Sequence, residues 1–264
     1  MRVDAVVLGG GDGAVLDPAV RFKGLVNVSG RPLVEWVVDA LLGAELVEGI
    51  AVVVPTAEGL GPWADKVDKL VVSDGSFMDN VLAGLESFKV DRPVLLVSGD
   101  LPLLQPRDVD EFVRASLATA ADMTYPVIRK EDVLVQCPGA ERTYVRLAVG
   151  YVTGGNMAVL NPALVRRNKE LGERLFAARK SPISMARVLG LRFVVRLVGG
   201  RLTVPELEEK LGELIDGVGC AVFTKRAAIG MDVDKPSDLV LAERLLGERR
   251  AKARHTDTDG GIGG

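Results

Sequence analysis

Short apolar runs alternate with helical patterns through the first part of the chain, and this alternation is the strongest constraint on its fold. The apolar runs, rich in β-branched residues, are Val3 to Leu8, Ile50 to Val54, Leu70 to Ser73 and Val94 to Ser98. The helical patterns are Leu33 to Leu42, Phe77 to Ser87 and a segment that begins at Pro106. This order is typical of βαβ units, in which helices cover both faces of a parallel sheet. We therefore expect one α/β domain.

The second half of the chain is less regular, and we expect it to elaborate the same domain. Its predicted strands are Met123 to Val127, Val133 to Cys137, Tyr144 to Val152, Leu191 to Val198 and Cys220 to Thr224. Its predicted helices are Pro162 to Ala178, Val204 to Ile215 and Lys235 to Arg249. We place the domain at residues 1–247. The charged and then glycine-rich composition of residues 248–264 cannot bury an apolar face, so we expect a disordered tail there.

The composition excludes several kinds of function. The sole histidine, His255, lies in the expected tail, which excludes Ser-His-Asp and Cys-His catalysis and His-ligated zinc. The net charge of -3 lacks the basic excess of nucleic-acid-binding proteins. The N-terminus has no basic leader, and no apolar run reaches the ~18 residues of a membrane span. We therefore expect a cytoplasmic protein without nucleic-acid or membrane partners, whose chemistry uses carboxylates, lysines, arginines, backbone amides and an oxygen-ligated metal.

A glycine-rich segment, Leu8-Gly9-Gly10-Gly11-Asp12-Gly13, follows the first predicted strand. Loops at the carboxyl ends of parallel strands are where α/β proteins bind ligands, and glycines let backbone amides approach phosphates. A plain turn explains the segment equally well, and neither the dinucleotide fingerprint nor the Walker motif is complete. Lys23 and then Gly30-Arg31-Pro32-Leu33, which opens a helix, make the pattern more specific.

Four further motifs place polar residues at the ends of predicted strands or helices. They are Asp74-Gly75-Ser76 with Asn80, Ser98-Gly99-Asp100-Leu101-Pro102, Gly154-Gly155-Asn156, and Asp232-Val233-Asp234-Lys235-Pro236. Asp100 is the most specific of them, because its carboxylate follows an apolar strand and projects toward the glycine-rich loop. Turn formation or helix capping is the structural alternative for each motif, and for Asp238 we favour capping.

In this order, the motifs resemble the GT-A-like nucleotidyltransferase superfamily, in particular NTP transferases similar to molybdenum-cofactor guanylyltransferase. The resemblance spans about Val3 to Leu246. It implies a three-layer, Rossmann-like α/β fold with a mixed, mainly parallel sheet, the nucleotide-diphospho-sugar transferase or GT-A-like fold. It also implies an Mg²⁺-dependent enzyme that moves a nucleoside monophosphate from an NTP to a small phosphorylated acceptor and releases pyrophosphate.

The resemblance assigns roles to individual residues. Lys23 and Asp100 would be catalytic. Asp100 and Asp234 would bind Mg²⁺, with Asp232 as the alternative to Asp234, and Gly155 and Asn156 would contact the acceptor. The nucleotide would bind against Leu8, Gly9, Gly10, Gly11, Gly13, Lys23, Gly75, Ser76, Asn80, Ser98 and Gly99.

One position departs from the family pattern. The superfamily usually has an arginine for the leaving pyrophosphate where this chain has Val15, and Arg21 could substitute for it. The departure leaves open a non-catalytic nucleotide-binding protein, and the fold leaves open a glycosyltransferase that uses a nucleotide-sugar. The base, the oligomeric state and the acceptor are also open. Molybdopterin and the phosphates of sugars, polyols and lipid precursors are candidate acceptors, and Arg142 is one of several arginines that could meet an anionic group.

Overall fold

The computed structural model describes residues 1–89, 91–178 and 182–259. The strands are β1 (Val3–Leu8), β2 (Asn27–Val28), β3 (Arg31–Pro32), β4 (Val47–Val54), β5 (Lys69–Val72), β6 (Val94–Ser98), β7 (Met123–Arg129), β8 (Val145–Leu147), β9 (Gly150–Gly154), β10 (Met157–Leu160) and β11 (Gly219–Thr224). The helices are α1 (Leu33–Leu42), α2 (Phe77–Glu86), α3 (Pro106–Ala118), α4 (Lys130–Gln136), α5 (Pro162–Arg167), α6 (Lys169–Ala178), α7 (Pro182–Leu189), α8 (Leu191–Val198), α9 (Val204–Ile215) and α10 (Pro236–Asp259).

Within the described residues, nine strands form one mixed sheet. Its order is β5-β4-β1-β6-β10-β7-β9-β8, and β11 pairs with β7 outside this path. Strands β5, β4, β1 and β6 are parallel, whereas β10 runs antiparallel to both of its neighbours, β6 and β7. This mixed sheet with flanking helices confirms the predicted Rossmann-like α/β class.

The core explains why the first strand is apolar along its length. Val7 packs with α1 on one face of the sheet, and Val6 packs with α2 on the other. Both side chains are fully buried, as expected for a central parallel strand that helices cover on both sides. The predicted bounds of β1, α1 and β6 are confirmed.

The strand predicted from Val133 to Cys137 is wrong, because Val133 to Gln136 lie in α4 and Cys137 is the residue that caps this helix. In a strand, Val133, Val135 and Cys137 would share one face. Val133 and Cys137 are buried, but Val135 is 80% exposed. Burial of positions i and i+4 is the pattern of a helix, and short apolar runs do not distinguish the two structures.

The strand predicted from Leu191 to Val198 is also wrong, because these residues form α8. Phe193 and Leu197 pack against a buried cluster that contains Leu202. Val195, which would lie on the same face of a strand, is 61% exposed. The apolar positions again follow helical spacing.

Two predicted elements of the second half are each divided into two in the structure. Tyr144 to Val152 is a hairpin of β8 and β9, with Gly150 in a positive-φ turn. Pro162 to Ala178 is two helices, divided at Asn168, whose side chain donates hydrogen bonds to the carbonyls of Leu164 and Ile215.

The last helix, α10, extends beyond Arg249 to Asp259, into the expected tail at 248–264. Residues such as Ala251 and Lys252 favour helix, which explains the extension. Residues 260–264 lie outside the described part of the chain. None of the described helices is both long and apolar enough to cross a membrane.

Candidate functional site

A cleft of about 1100 Å³ opens at the carboxyl ends of β1, β4 and β6. Backbone hydrogen bonds continue past the strand ends and hold the loops together. Gly9 N–H donates to Val53 O at 2.9 Å, and Gly99 N–H donates to Leu8 O at 2.9 Å. The sheet register therefore places the glycine-rich loop beside the loop that contains Asp100.

The glycines of the first loop have two different roles. Gly10 and Gly11 line the cleft, and Gly11 has a φ of +94° that favours glycine. Gly9 instead packs against other glycines behind the surface. A Cβ on Gly24 would lie 2.4 Å from Gly9 O, and a Cβ on Gly99 would lie 2.9 Å from Gly9 Cα. Close backbone packing is therefore sufficient to explain the glycines at positions 9, 24 and 99.

Most residues that the sequence assigned to the site line this cleft. They are Leu8, Gly10, Gly11, Lys23, Gly75, Asn80, Ser98, Asp100, Asn156, Asp232 and Asp234. Five other predicted residues lie outside the cleft lining: Gly9, Gly13, Ser76, Gly99 and Gly155.

Sequence reasoning missed part of the cleft wall. Pro55 and Thr56 follow β4, and Ser73 follows β5. Both strands end at the same edge of the sheet as β1. Their position after predicted parallel strands was a signal that could have identified them.

The Lys23 side chain lies at the centre of the polar part of the cleft. Its ammonium group donates hydrogen bonds to carboxylate oxygens of Asp100 and Asp234. The second oxygen of Asp100, Oδ1, accepts a hydrogen bond from the Ser98 hydroxyl at 2.5 Å. Both oxygens of Asp100 therefore have fixed partners, which hold the orientation of the buried carboxylate.

Asp100, Asp232 and Asp234 form an acidic cluster in which one carboxylate oxygen of each lies within 4.8 Å of the others. Backbone contacts bring them together, because Val233 N–H donates to Asp100 O at 3.2 Å. Asp238 accepts hydrogen bonds from the backbone N–H groups of Asp234 and Lys235, both at 3.1 Å. Asp238 therefore stabilises the turn that presents Asp234, in agreement with the capping role favoured for it.

The two late aspartates have different environments. Asp232 is buried and forms an ion pair with Arg142, whereas the Asp234 side chain is 68% exposed. Burial and the nearby Asp100 raise the pKa of the Asp232 carboxyl, and Arg142 opposes this effect. Arg142, a candidate acceptor contact in the sequence, therefore compensates charge beneath the site.

Lys23 and Asp234 each stabilise the charged form of the other. Burial disfavours both charged forms, but Asp100 and Asp234 outweigh it and raise the pKa of the Lys23 ammonium. Contact with Lys23 likewise outweighs burial and lowers the pKa of the Asp234 carboxyl. Both groups are therefore charged at neutral pH.

The donor set fits a hard divalent cation. Carboxylate oxygens are the protein ligands that Mg²⁺ prefers. Asp100 and Asp234 share Lys23 as a partner, whereas Asp232 is neutralised by Arg142. Of the two late aspartates, Asp234 therefore presents the more exposed carboxylate to the cleft, whereas that of Asp232 is buried against Arg142.

Asn80 and Ser76 organise the loop at the other side of the cleft. Asn80 Oδ1 accepts hydrogen bonds from the Ser73 hydroxyl at 2.7 Å and from Gly75 N–H at 3.2 Å. Its Nδ2 donates to Gly75 O at 3.2 Å. Ser76 caps α2 in a capping box with Asp79. Ser76 thus has a complete structural role, while Asn80 fixes the backbone of a cleft-lining loop.

The glycine-rich loop itself contains a carboxylate that would repel phosphates. Asp12 Oδ1 accepts a hydrogen bond from Ala14 N–H at 2.9 Å, which ties the carboxylate to its own loop. Val15 lines the cleft and is 63% exposed. Arg21 also lines the cleft, where it forms an exposed ion pair with Glu58 at 2.5 Å. An arginine therefore lines the same cleft as Val15.

On the opposite side, Asn156 and Gly155 join the sheet to the acidic segment. Asn156 O accepts a hydrogen bond from Ser98 N–H at 3.0 Å, and Asn156 N–H donates to Ile229 O at 2.9 Å. A Cβ on Gly155 would lie 2.7 Å from side-chain atoms of both Ile229 and Pro126. Gly155 is thus required by packing, whereas Asn156 lines the cleft.

Comparison with known proteins identifies the family. Residues 5–198 match the model of a MobA-like NTP transferase domain. A hypothetical transferase from Thermus thermophilus, whose structure is solved, is 35% identical with a TM-score of 0.78. The match covers 90% of this chain and 100% of that one.

Two further proteins are more distantly similar to this chain. A 2-C-methyl-D-erythritol 4-phosphate cytidylyltransferase from Clostridium botulinum (strain Eklund 17B / Type B) is 27% identical over 121 residues, which cover 43% of this chain. The chain spans about half the length of this curated relative, 54% of it. A nucleotidyl transferase from Methanothermobacter has a TM-score of 0.59 at 18% identity, covers 94% of this chain and 99% of that one, and shows a shared fold alone.

Proposed function

Because the chain belongs to the MobA-like NTP transferase family, we propose that it is an Mg²⁺-dependent nucleotidyltransferase. It moves a nucleoside monophosphate from an NTP to a small phosphorylated acceptor and releases pyrophosphate. The observation that carries this proposal is the convergence of Lys23, Asp100 and Asp234 at the carboxyl edge of the sheet. Lys23 and Asp234, from opposite ends of the domain, meet beside Asp100 in a cleft large enough for a nucleotide.

The charge of the cleft supports the requirement for a divalent cation. Among the described residues, five carboxylates line it, while its basic side chains are Arg21 and Lys23. The carboxylates are Asp12, Asp74, Asp100, Asp232 and Asp234. A triphosphate would meet net repulsion in this cleft unless a cation balanced it. Asp100 and Asp234 would hold Mg²⁺, which when bound offsets the negative charge of the phosphates.

The chemistry follows from the groups that are present. An acceptor phosphate oxygen attacks the α-phosphorus of the NTP, a new P–O bond forms, and the bond to the β-phosphate breaks. Pyrophosphate leaves with the electron pair of that bond. Lys23, which contacts Asp100 and Asp234, would neutralise charge on the α-phosphate during this step. A phosphate oxygen is already nucleophilic at neutral pH, so no general base is needed, consistent with a site built without histidine.

Loss of Asp100 tests the proposal through the reaction itself. We would measure pyrophosphate release with ATP, GTP, CTP and UTP, each with Mg²⁺ and a panel of phosphorylated acceptors. Asp100→Asn keeps the shape of the side chain and removes its charge, and we expect turnover to fall by roughly 100-fold or more. Asp65→Asn, an exposed carboxylate outside the cleft, is the matched control and should keep full activity.

Each alternative outcome is recognisable. Full turnover by Asp100→Asn would overturn the proposed role of this carboxylate. Cleavage of a nucleotide-sugar without any reaction of NTPs would instead favour a glycosyltransferase. Nucleotide binding without turnover across the acceptor panel would favour a non-catalytic protein.

A further inference from the structure

A second cavity of about 480 Å³ lies beside the cleft, and its lining is almost entirely apolar. The sheet forms one wall through residues such as Leu96 and Ala158. Helices α2, α6 and α9 form the other wall, with residues such as Leu175 and Leu211. Ligand pockets in proteins typically fall in this size range and have predominantly apolar linings.

The apolar cavity adjoins the proposed active-site cleft. The two spaces share Leu8, Phe77, Ser98, Asn156 and Phe176 as lining residues. Phe77 and Phe176 stack at this junction, with ring centroids 4.1 Å apart and planes inclined by 7°. A molecule whose polar group lies at the acidic cluster could therefore extend into the apolar cavity without leaving the protein.

Specific contacts hold the outer wall of the cavity in place. Lys169, at the start of α6, pairs with Asp79 of α2 at 2.6 Å. Glu173 accepts a hydrogen bond from Met78 N–H at 2.9 Å. Gly172 lets the two helices touch, since a Cβ there would lie 2.4 Å from Met78 Sδ. The cavity is thus bounded by a helix fixed to its neighbour through polar and apolar contacts.

Two of the three polar side chains that line the cavity already have hydrogen-bond partners. The Ser98 hydroxyl donates to Asp100, and Asn168 Nδ2 donates to two backbone carbonyls. A sugar, polyol or pterin placed here would bury hydroxyl or amine groups without partners. Each such group would lower affinity by about tenfold or more. Asn156, at the junction, can still face the polar end of a ligand.

We propose that the acceptor is the phosphate ester of a hydrocarbon, with an alkyl or isoprenyl chain in the apolar cavity and its phosphate at the acidic cluster. This inference rests on the proposed nucleotidyl transfer, and it selects the lipid-precursor class among the candidate acceptors. A cavity of ~150 Å³ holds one benzene ring, so this one has room for a chain of roughly 10–20 carbons. The product would be a nucleoside diphosphate ester of the lipid.

A series of alkyl phosphates from butyl to eicosyl spans the expected capacity of the cavity and measures it directly. Each is titrated calorimetrically into the full chain below its micelle concentration, with glycerol 3-phosphate as the polar comparison. We expect affinity to rise about three- to fourfold per methylene and to level off when the cavity is full. Equal affinity for octyl phosphate and glycerol 3-phosphate would overturn the inference.

The variant Ala158→Leu distinguishes binding in the cavity from non-specific binding. The larger side chain fills part of the space, so we expect the plateau to move to chains shorter by about three methylenes. Ala177→Leu makes the same change on the exposed side of α6 and should leave the plateau unchanged. An unchanged plateau in Ala158→Leu would contradict the inference. If that variant does not fold, Leu211→Phe on α9 takes its place.

Binding of Mg²⁺-NTP, measured on the same samples, keeps the two proposals distinct. If nucleotide binding is normal but the affinity for alkyl phosphates does not depend on chain length, the proposed nucleotidyl transfer stands and the hydrocarbon acceptor is rejected. Chain-length dependence without nucleotide binding would support the cavity as a hydrocarbon site and reject the proposed reaction.

Discussion

The Lys23 ammonium donates a hydrogen bond to the Asp234 carboxylate, although 211 positions separate the two residues in the chain. Lys23 follows the glycine-rich loop after β1, and Asp234 precedes the last helix. The pair lines the cleft and joins segments from the two ends of the domain. It also places a positive charge between two carboxylates that are proposed to hold a metal.

Removal of the Lys23 charge tests its proposed catalytic role. We expect Lys23→Met to lower turnover by about 100- to 1000-fold, because charge on the transferring phosphate is no longer offset. Affinity for Mg²⁺ should stay the same or rise, since the ammonium no longer contacts Asp100 and Asp234. Steady-state pyrophosphate release and calorimetric titration of the metal measure the two effects. Lys66→Met, at an exposed lysine, is the control, and normal turnover by Lys23→Met would refute the role.

Neutralising substitutions of Asp234 and Asp232 should have different effects on metal dependence and on stability. Asp234→Asn should raise the Mg²⁺ concentration for half-maximal activity by about tenfold or more, with only about 1 kcal/mol of stability lost. Asp232→Asn should instead destabilise the fold by about 3 kcal/mol, because it leaves Arg142 charged while only 15% exposed. Urea unfolding and metal titration separate the effects. The reverse pattern would make Asp232 the metal ligand.

Asn80 should act by positioning the loop of Gly75 and not by chemistry. We expect Asn80→Ala to raise KM for the NTP by about tenfold with a small change in kcat, since three hydrogen bonds to Ser73 and Gly75 are lost. Exposed Asn27 provides a control substitution to Ala. A large fall in kcat at unchanged KM would contradict this role.

The packing of Gly24 against Gly9 predicts a stability difference between two glycine substitutions. Gly24→Ala should destabilise the protein by about 2 kcal/mol, since its Cβ would lie 2.4 Å from Gly9 O. Gly247→Ala, in α10 with nothing within 4 Å of the added Cβ, should stabilise it by about 0.5–1 kcal/mol. Chemical denaturation measures both, and similar free energies of unfolding for the two variants would refute the packing role of Gly24.

The departure of Val15 from the family pattern leads to a prediction about pyrophosphate. We expect Arg21→Ala to reduce turnover by about tenfold, because Arg21 is the arginine among the described residues that line the cleft. Val15→Arg in that background should restore part of the loss. Turnover that is insensitive to Arg21→Ala would show that pyrophosphate leaves without its help.

The first half of the fold was predictable because each strand is short, apolar and followed by a recognisable loop. Asp100 could be singled out in the sequence because it directly follows an apolar strand, and Lys23 because it lies between the glycine-rich loop and Gly30-Arg31-Pro32-Leu33. The errors at Val133 to Cys137 and Leu191 to Val198 share one cause. Apolar runs of this length are compatible with a strand or a buried helix face, and tertiary packing selected the helix.

Other features depend on contacts that no local pattern contains. The proposed preference of a metal for Asp234 over Asp232 rests on Arg142, which lies far away in the chain and pairs with only one of them. Ser76 looked like a nucleotide contact because a serine before a helix is compatible with either binding or capping. The apolar cavity forms where the sheet meets α2, α6 and α9, so it becomes visible only in the assembled fold.

Calorimetric titration with ATP, GTP, CTP and UTP, with and without Mg²⁺, tests the proposed nucleotide and metal site most directly. We expect one or more nucleotides to bind only when Mg²⁺ is present, and this binding to be lost in Asp100→Asn but retained in Asp65→Asn. No binding of any NTP in the presence of Mg²⁺ and alkyl phosphate, or equal binding by Asp100→Asn, would contradict the proposed site.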